Sequence, residues 1–315
     1  MEIQDRYGLT LALVDPGELA SEPWLRTGRR LDVVRVPDPP AGRWEELAAR
    51  GFVRKPGLLT WVAEPAPDEE THLRTLSRLA RRNLRAARRR AAEAGLRETV
   101  EDPVTPGTLD RFLALYKERV AEMRFGVPFA LDHRDAVLHG PRRFFGVFAH
   151  EGEELAGGVL ALECPAAGAL VLRFSAVSAA WRRHSLARVL YFSALREGRA
   201  RGCTRATLGN EPNLLGHLTE PGLLQFKTAL GFRPVPSHAF GDPHATDEAD
   251  LVLRVGAPGL SDPTVMLGYA AAERGAPLAA HLVSADPAPP LATRGPLPLL
   301  GGVTVHAPVF TAPQR

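Results

Sequence analysis

Three strand-like runs separated by tight polar turns occupy the middle of this 315-residue chain. FFGVFAH (144–150) turns at EGEE into LAGGVLALE (155–163), which turns at CPAAG into ALVLRFSAVS (169–178). Connections this short join antiparallel neighbours, whereas parallel neighbours need a crossover of a dozen residues or more, so the spacing predicts an antiparallel meander. The rhythm then changes. A helix is predicted over 184–201, ending at Gly202, then a strand at CTRATLGN (203–210) and a helix at GLLQFKTALGF (222–232). SHAF (237–240) and ADLVLRV (249–255) read as closing strands. Upstream, helices are predicted over 107–125 and near 132–139. The fold class is therefore α/β (α+β), a mixed central sheet flanked by helices.

Three segments follow. Residues 1–66 alternate short apolar runs with turns (LTLALV 9–14, LDVVRV 31–36, a helix at 44–50, LLTWVAE 58–64) and read as a small N-terminal α/β lobe. The acidic, proline-bearing EPAPDEE (64–70) reads as a linker. Residues 67–256 form the main domain, and 257–315 a Pro/Gly-rich extension. In that extension TVMLGYAAAERGAPLAAHLVSA (264–285) suits a hairpin and VTVHAPVF (303–310) a last strand.

Net charge is only +3, yet residues 72–98 carry nine arginines against Glu93 and Glu98, leaving the rest of the chain net acidic. Local basicity of this kind argues against a sequence-independent DNA binder. A helix over 70–95 places Leu73, Leu76, Ala80, Leu84, Ala87, Ala91 and Ala94 on one stripe, with Arg74, Arg78, Arg81, Arg85 and Arg88 beside it. Two readings of that stripe are open. It is a solvated face, or it is a phosphate-binding face, for which arginine is suited by its bidentate geometry. Only Cys164 and Cys203 are present, without metal-ligand spacing, so neither a disulfide framework nor a metal site is expected. The start MEIQDRYG has no signal-peptide pattern, and no apolar run approaches the ~20 residues of a membrane span. A cytoplasmic protein is expected.

The element order resembles the GNAT acyltransferase superfamily over about residues 100–256. That family's phosphate loop reads Arg or Gln, two residues, Gly, one residue, Gly or Ala; here Arg182, Ser185 and Ala187 stand in those places, with serine for glycine. Arg81–Ala86 (RRNLRA) and Phe226–Gly231 (FKTALG) also resemble motifs of the Fem-like branch, which is related to the peptidoglycan aminoacyltransferases. LAARGFVRKP (47–56) echoes KTALGFRPVP (227–236), consistent with a shortened first unit of the tandem arrangement that branch carries.

The resemblance implies an N-acyltransferase using acetyl-CoA or another acyl-CoA, with a small-molecule or peptide amine as acceptor. Its alternative is an aminoacyl-tRNA-dependent transferase, and a second alternative is a non-catalytic RNA- or nucleotide-binding relative. It places donor binding at Ala176, Val177, Ser178, Arg182, Arg183, His184, Ser185, Leu186, Ala187, Asn210 and Phe226. Lys227 is the candidate for stabilising the oxyanion or for holding a donor phosphate, and Glu211 is the candidate base, ahead of Glu163. Arg81, Arg85, Arg88, Arg173 and Ser175 are candidates for acceptor or phosphate binding; each has an ordinary surface role as its alternative.

Overall fold

The computed structural model describes residues 1–242, 245–256, 258–271, 275–289 and 302–310. In chain order its first elements are β1 (Glu2–Arg6), β2 (Leu9–Leu13), β3 (Val33–Pro37), α1 (Trp44–Ala49), β4 (Val53–Pro56) and β5 (Leu58–Ala63). Next come α2 (Glu69–Thr75), α3 (Arg78–Glu93), β6 (Arg97–Glu101), α4 (Pro106–Ala121), α5 (Arg134–His139), β7 (Phe144–Glu151), β8 (Glu154–Cys164) and β9 (Ala169–Val177). The chain continues with α6 (Ala179–Arg182), α7 (Leu186–Ala200), β10 (Arg205–Pro212), α8 (Pro221–Ala229), β11 (Arg233–Pro236) and β12 (Asp247–Val252). The last strands are β13 (Thr264–Tyr269), β14 (Leu278–Val283) and β15 (Val303–His306). The chain divides into two compact units, one of Met1–Thr60, Asn210–Phe226 and Pro234–Arg315, the other of Trp61–Gly209 and Lys227–Arg233.

In the first unit a five-stranded sheet has the order β1-β2-β3-β12-β4. Strand β12 lies antiparallel to both β3 and β4, with Asp250 opposite Arg35 and Glu248 opposite Lys55. One face carries an apolar core that includes Val34, Val36, Trp44, Leu47 and Ala249. The opposite face carries a second apolar cluster that includes Val33, Val53 and Val252, together with an ionic group. Arg35 forks onto Asp250 through Nε (2.7 Å) and Nη2 (2.8 Å), and the Lys55 ammonium lies 2.6 Å from Glu248 and 3.2 Å from Asp250. The predicted C-terminal hairpin is present as β13 against β14, its 272–274 segment outside the described residues, and β15 adds in parallel to β14.

The second unit is built on the expected meander, with β7, β8 and β9 antiparallel in sequence and β6 antiparallel to β7. They belong to a seven-stranded sheet of order β11-β5-β10-β9-β8-β7-β6. Adjacent glycines on β8 let a helix approach on each face. A Cβ at Gly157 would meet Leu190 of α7 at 3.1 Å, and one at Gly158 would meet Phe112 of α4 at 3.0 Å.

Three expectations are corrected. The single helix over 70–95 is two helices: Leu76 is extended (ψ 156°), and Ser77 caps α3 by accepting from the amide of Ala80. A hydroxyl that satisfies a free first-turn amide makes this a natural restart point. SHAF is a 3-10 turn and not a strand; Gly241 ends it at φ 85°. The helix expected from 184 begins at Leu186, after the separate short α6. Among the described residues no helix is long and apolar enough to cross a membrane.

Candidate acyl-donor site

Parallel strands β9 and β10 pair only over Ala169–Val171 against Arg205–Thr207. Strand β9 then runs on to Val177, held on its other edge by β8. From Leu172 to Val177 one edge of β9 is therefore left without a strand partner among the described residues. The register with β8 also slips there: Leu160 faces Phe174 and Ala161 faces Leu172, so Arg173 is an extra, bulged residue. Bulges bend a strand and re-aim its side chains, and they recur beside functional sites. The exposed Arg173 guanidinium lies 5.3 Å from the Phe174 ring centroid, and 4.0 Å from where a Cβ on Gly209 would stand. Gly209 has φ +76°, a conformation that favours glycine.

Ala176 and Val177, both buried, end β9, and Ser178 opens α6. Helix α7 follows at Leu186 without a side-chain cap. Among the described residues the amides of Leu186 and Ala187 have no hydrogen-bond acceptor, while Arg188 donates to the carbonyl of Ser185. A 15-residue helix that opens with free amides and a dipole directed at them favours an anion. Ser185 sits at φ +61°, ψ +31°, the left-handed region. The structure thus supplies a reason for the glycine that the resemblance places here, and serine holds that backbone against its preference. Changing Ser185 to glycine is expected to stabilise the protein by roughly 0.5–1 kcal/mol, raising the unfolding midpoint by about 2 °C. A lower midpoint for the variant in a thermal melt rules out this reading of Ser185.

The neighbouring candidates have structural work of their own. Arg182 pairs with Glu122 at 2.7 Å and its guanidinium holds that carboxyl below the usual range. His184 packs edge-on to Trp181 at 5.5 Å, whose indole donates to Glu151. Arg183 is exposed. Ser175 shares a 2.8 Å hydrogen bond with Tyr191, whose phenol burial pushes up, opposed by that bond.

On α3, Ala80, Leu84 and Ala87 are buried, as the stripe predicts, and α3 packs against α7. Arg88 is bound to Glu69 and lies 5.9 Å from the Phe192 ring centroid, so part of the arginine stripe is tied into the fold. Arg81, Arg82 and Arg85 have no ion pair among the described residues. Lys227 on α8 is 9% exposed, its ammonium 5.1 Å from the ring centroid of the fully buried Trp61. In the first unit, Glu211 is 8% exposed, Phe226 is half-buried, and the Asn210 amide accepts from Thr60 and donates to Asp242. The bulge at Arg173 and the left-handed Ser185 were not visible in the sequence pattern.

A family model described as an acetyltransferase (GNAT) domain matches residues 78–217. Solved structures similar to this chain include FemX at 15% identity, covering 78% of this chain and 81% of that one with a TM-score of 0.45. A tandem GNAT protein from the clavulanic acid biosynthesis pathway, also at 15%, covers 70% of this chain and 64% of its own length, with a TM-score of 0.40. L-PGS from Bacillus licheniformis matches at 13%, covering 76% of each chain with a TM-score of 0.38. No curated protein matches the sequence. Among the described residues no group of three or more His, Cys, Asp or Glu is placed to hold a metal ion.

Proposed function

We propose that the chain moves an acyl group from coenzyme A to an amine by direct attack, a reading supported by the match of residues 78–217 to the family model described as an acetyltransferase (GNAT) domain. Acetyl is the simplest such group, and the acceptor is a small molecule or a peptide. The observation that carries this reading is the unpartnered edge of β9 leading into α7 with free amides at Leu186 and Ala187. An extended pantetheine arm fits the first feature, and a diphosphate the second. In this reading Ala176, Val177 and Ser178 line the arm, while the Arg182–Ala187 segment holds the diphosphate.

The chemistry balances as follows. The amine nitrogen bonds the thioester carbonyl carbon, and the oxyanion that forms is stabilised by the Lys227 ammonium. Collapse breaks the carbon–sulfur bond, and the thiolate departs. The proton of the newly bonded nitrogen passes through a general base and ends on the thiol.

Thermal unfolding with and without acetyl-CoA tests the donor. At a hundred times its dissociation constant a ligand adds ~2.7 kcal/mol, a midpoint rise of roughly 5 to 10 °C. An unchanged midpoint at millimolar acetyl-CoA removes the coenzyme A reading. The second reading, transfer from an aminoacyl-tRNA, is favoured by Arg81, Arg82 and Arg85, exposed or half-buried on α3 and without ion pairs among the described residues. A melt raised by charged tRNA and not by acetyl-CoA selects it.

A further inference from the structure

Three polar side chains stand around the ring of Phe174, the residue that follows the bulge in β9. The Arg173 guanidinium lies 5.3 Å from the ring centroid, the Tyr116 ring of α4 5.8 Å from it and the His133 ring 5.2 Å. All four residues belong to the second unit, as does the unpartnered edge of β9 on which Arg173 sits. Phe174 is buried, Arg173 is exposed, and Tyr116 and His133 are half-buried, so polar groups reach water around a buried apolar ring. Leu170, Leu172 and Ala176 on the same strand are buried too. The bulge thus gives an apolar stretch one re-aimed charge.

The hydrogen-bonding capacity of this group is open. Among the described residues Arg173 has neither an ion pair nor a hydrogen-bond acceptor, and the Tyr116 hydroxyl has no hydrogen-bond partner. Burial pushes the Tyr116 phenol up, opposed by the Arg173 charge, so the hydroxyl keeps its proton near neutral pH and remains a donor. His133 Nδ1 lies 2.8 Å from the Phe129 carbonyl, which only accepts, so Nδ1 donates. In the neutral ring the lone pair is then on Nε2, which has no partner among the described residues. Two donors and one acceptor around a single ring complement a ligand that carries both signs of charge.

We propose that the acceptor is an amine that also carries a carboxylate, and that Arg173 and the Tyr116 hydroxyl hold that carboxylate. This inference rests on the acyl-transfer reading and names the acceptor class for it. A carboxylate matches the planar guanidinium fork. A phosphate offers only acceptors, which the His133 lone pair opposes, whereas the ammonium of an amino acid satisfies that lone pair. The placement suits the reaction as well. Arg173 and Ala176, the latter lining the acyl arm in this reading, are three residues apart on one strand, about 10 Å. An arginine side chain and a small amino acid together bridge that span.

The test uses the full chain, acetyl-CoA and three matched pairs of acceptor probes: glycine and methylamine, β-alanine and ethylamine, L-lysine and cadaverine. Members of a pair differ by the carboxylate alone. Thiol release gives KM and kcat for wild type, Arg173→Gln and Tyr116→Phe. Wild type is expected to show the lower KM for the carboxylated member of at least one pair. Arg173→Gln should raise that KM about 10- to 100-fold, with kcat and the KM of the decarboxylated partner within a few-fold of wild type. Tyr116→Phe should raise the same KM by a smaller factor, and Arg173→Lys should restore part of the loss. Equal effects of Arg173→Gln on both members of the pair, as a packing role against Phe174 requires, overturn the proposal. So does a wild type that favours none of the three carboxylates. Carbon NMR of tyrosine-labelled protein gives a readout free of turnover. Expected is a saturable shift of the ζ-carbon signal that Tyr116→Phe removes, seen with a carboxylated probe, absent with its decarboxylated partner and absent in Arg173→Gln. No shift with any of the three carboxylates, or the same shift with both members of a pair, overturns the proposal. If wild type acetylates no probe, the acetyl-CoA reading falls by itself, and the NMR titration alone then retains or overturns the carboxylate site.

Discussion

Asp250→Ala is expected to cost roughly 3–5 kcal/mol of stability, a fall in midpoint on the order of 10 °C. Asp250 is fully buried at the centre of a four-residue ionic group with Arg35, Lys55 and Glu248. Removing it leaves two cations and one carboxylate on a sheet face where Lys55 is 1% exposed. An uncompensated buried charge is what makes breaking such a group costly, even where the intact group adds little to stability. Burial alone would raise the Asp250 pKa, but the Arg35 and Lys55 charges and their hydrogen bonds outweigh it and hold the carboxyl below its ordinary value. For a depressed carboxyl the sign is fixed: its stabilisation is present above the unfolded pKa and fades as pH falls through the folded one. The deficit of the alanine variant should therefore be largest near neutral pH and shrink in strong acid. Chemical and thermal melts of both proteins across pH check this. A loss below about 1 kcal/mol at neutral pH, on the scale of an exposed pair, would show that solvent screens the group.

That ionic group marks where the sequence stops being informative. The meander was legible because each strand pairs with its neighbour in the chain, and the hairpin β13–β14 for the same reason. The insertion of β12 between β3 and β4 joins residues about two hundred apart, and no local pattern encodes such a partner. Arg35, Lys55, Glu248 and Asp250 therefore read as ordinary charged positions until β12 is in place. Strands β1, β4, β6 and β11 went unassigned because they are only four or five residues long, and most are polar or carry proline. The candidate donor segment was legible as a motif, since Arg182, Ser185 and Ala187 keep its spacing. Its physical reason was not, because a backbone angle such as the φ of Ser185 has no signature in side-chain type.

The largest expected effect on turnover comes from Lys227. Its ammonium is nearly excluded from water and 5.1 Å from the Trp61 ring centroid, a cation–π contact worth up to about 2 kcal/mol when desolvated. Alanine there would remove both the charge and the stem packed by Trp61, mixing a folding defect with a catalytic one. Lys227→Met keeps most of the stem and removes only the charge. If the ammonium stabilises the oxyanion, kcat with acetyl-CoA should fall about 10²- to 10³-fold, the cost of losing one such donor. The acetyl-CoA-induced rise in midpoint should then be retained, because a group that acts on the transition state contributes little to ground-state binding. The two measurements separate the alternatives. Lost turnover with a retained thermal shift assigns Lys227 to the oxyanion. Loss of the shift itself moves it to a donor phosphate, and wild-type kcat leaves it a structural residue packed on Trp61.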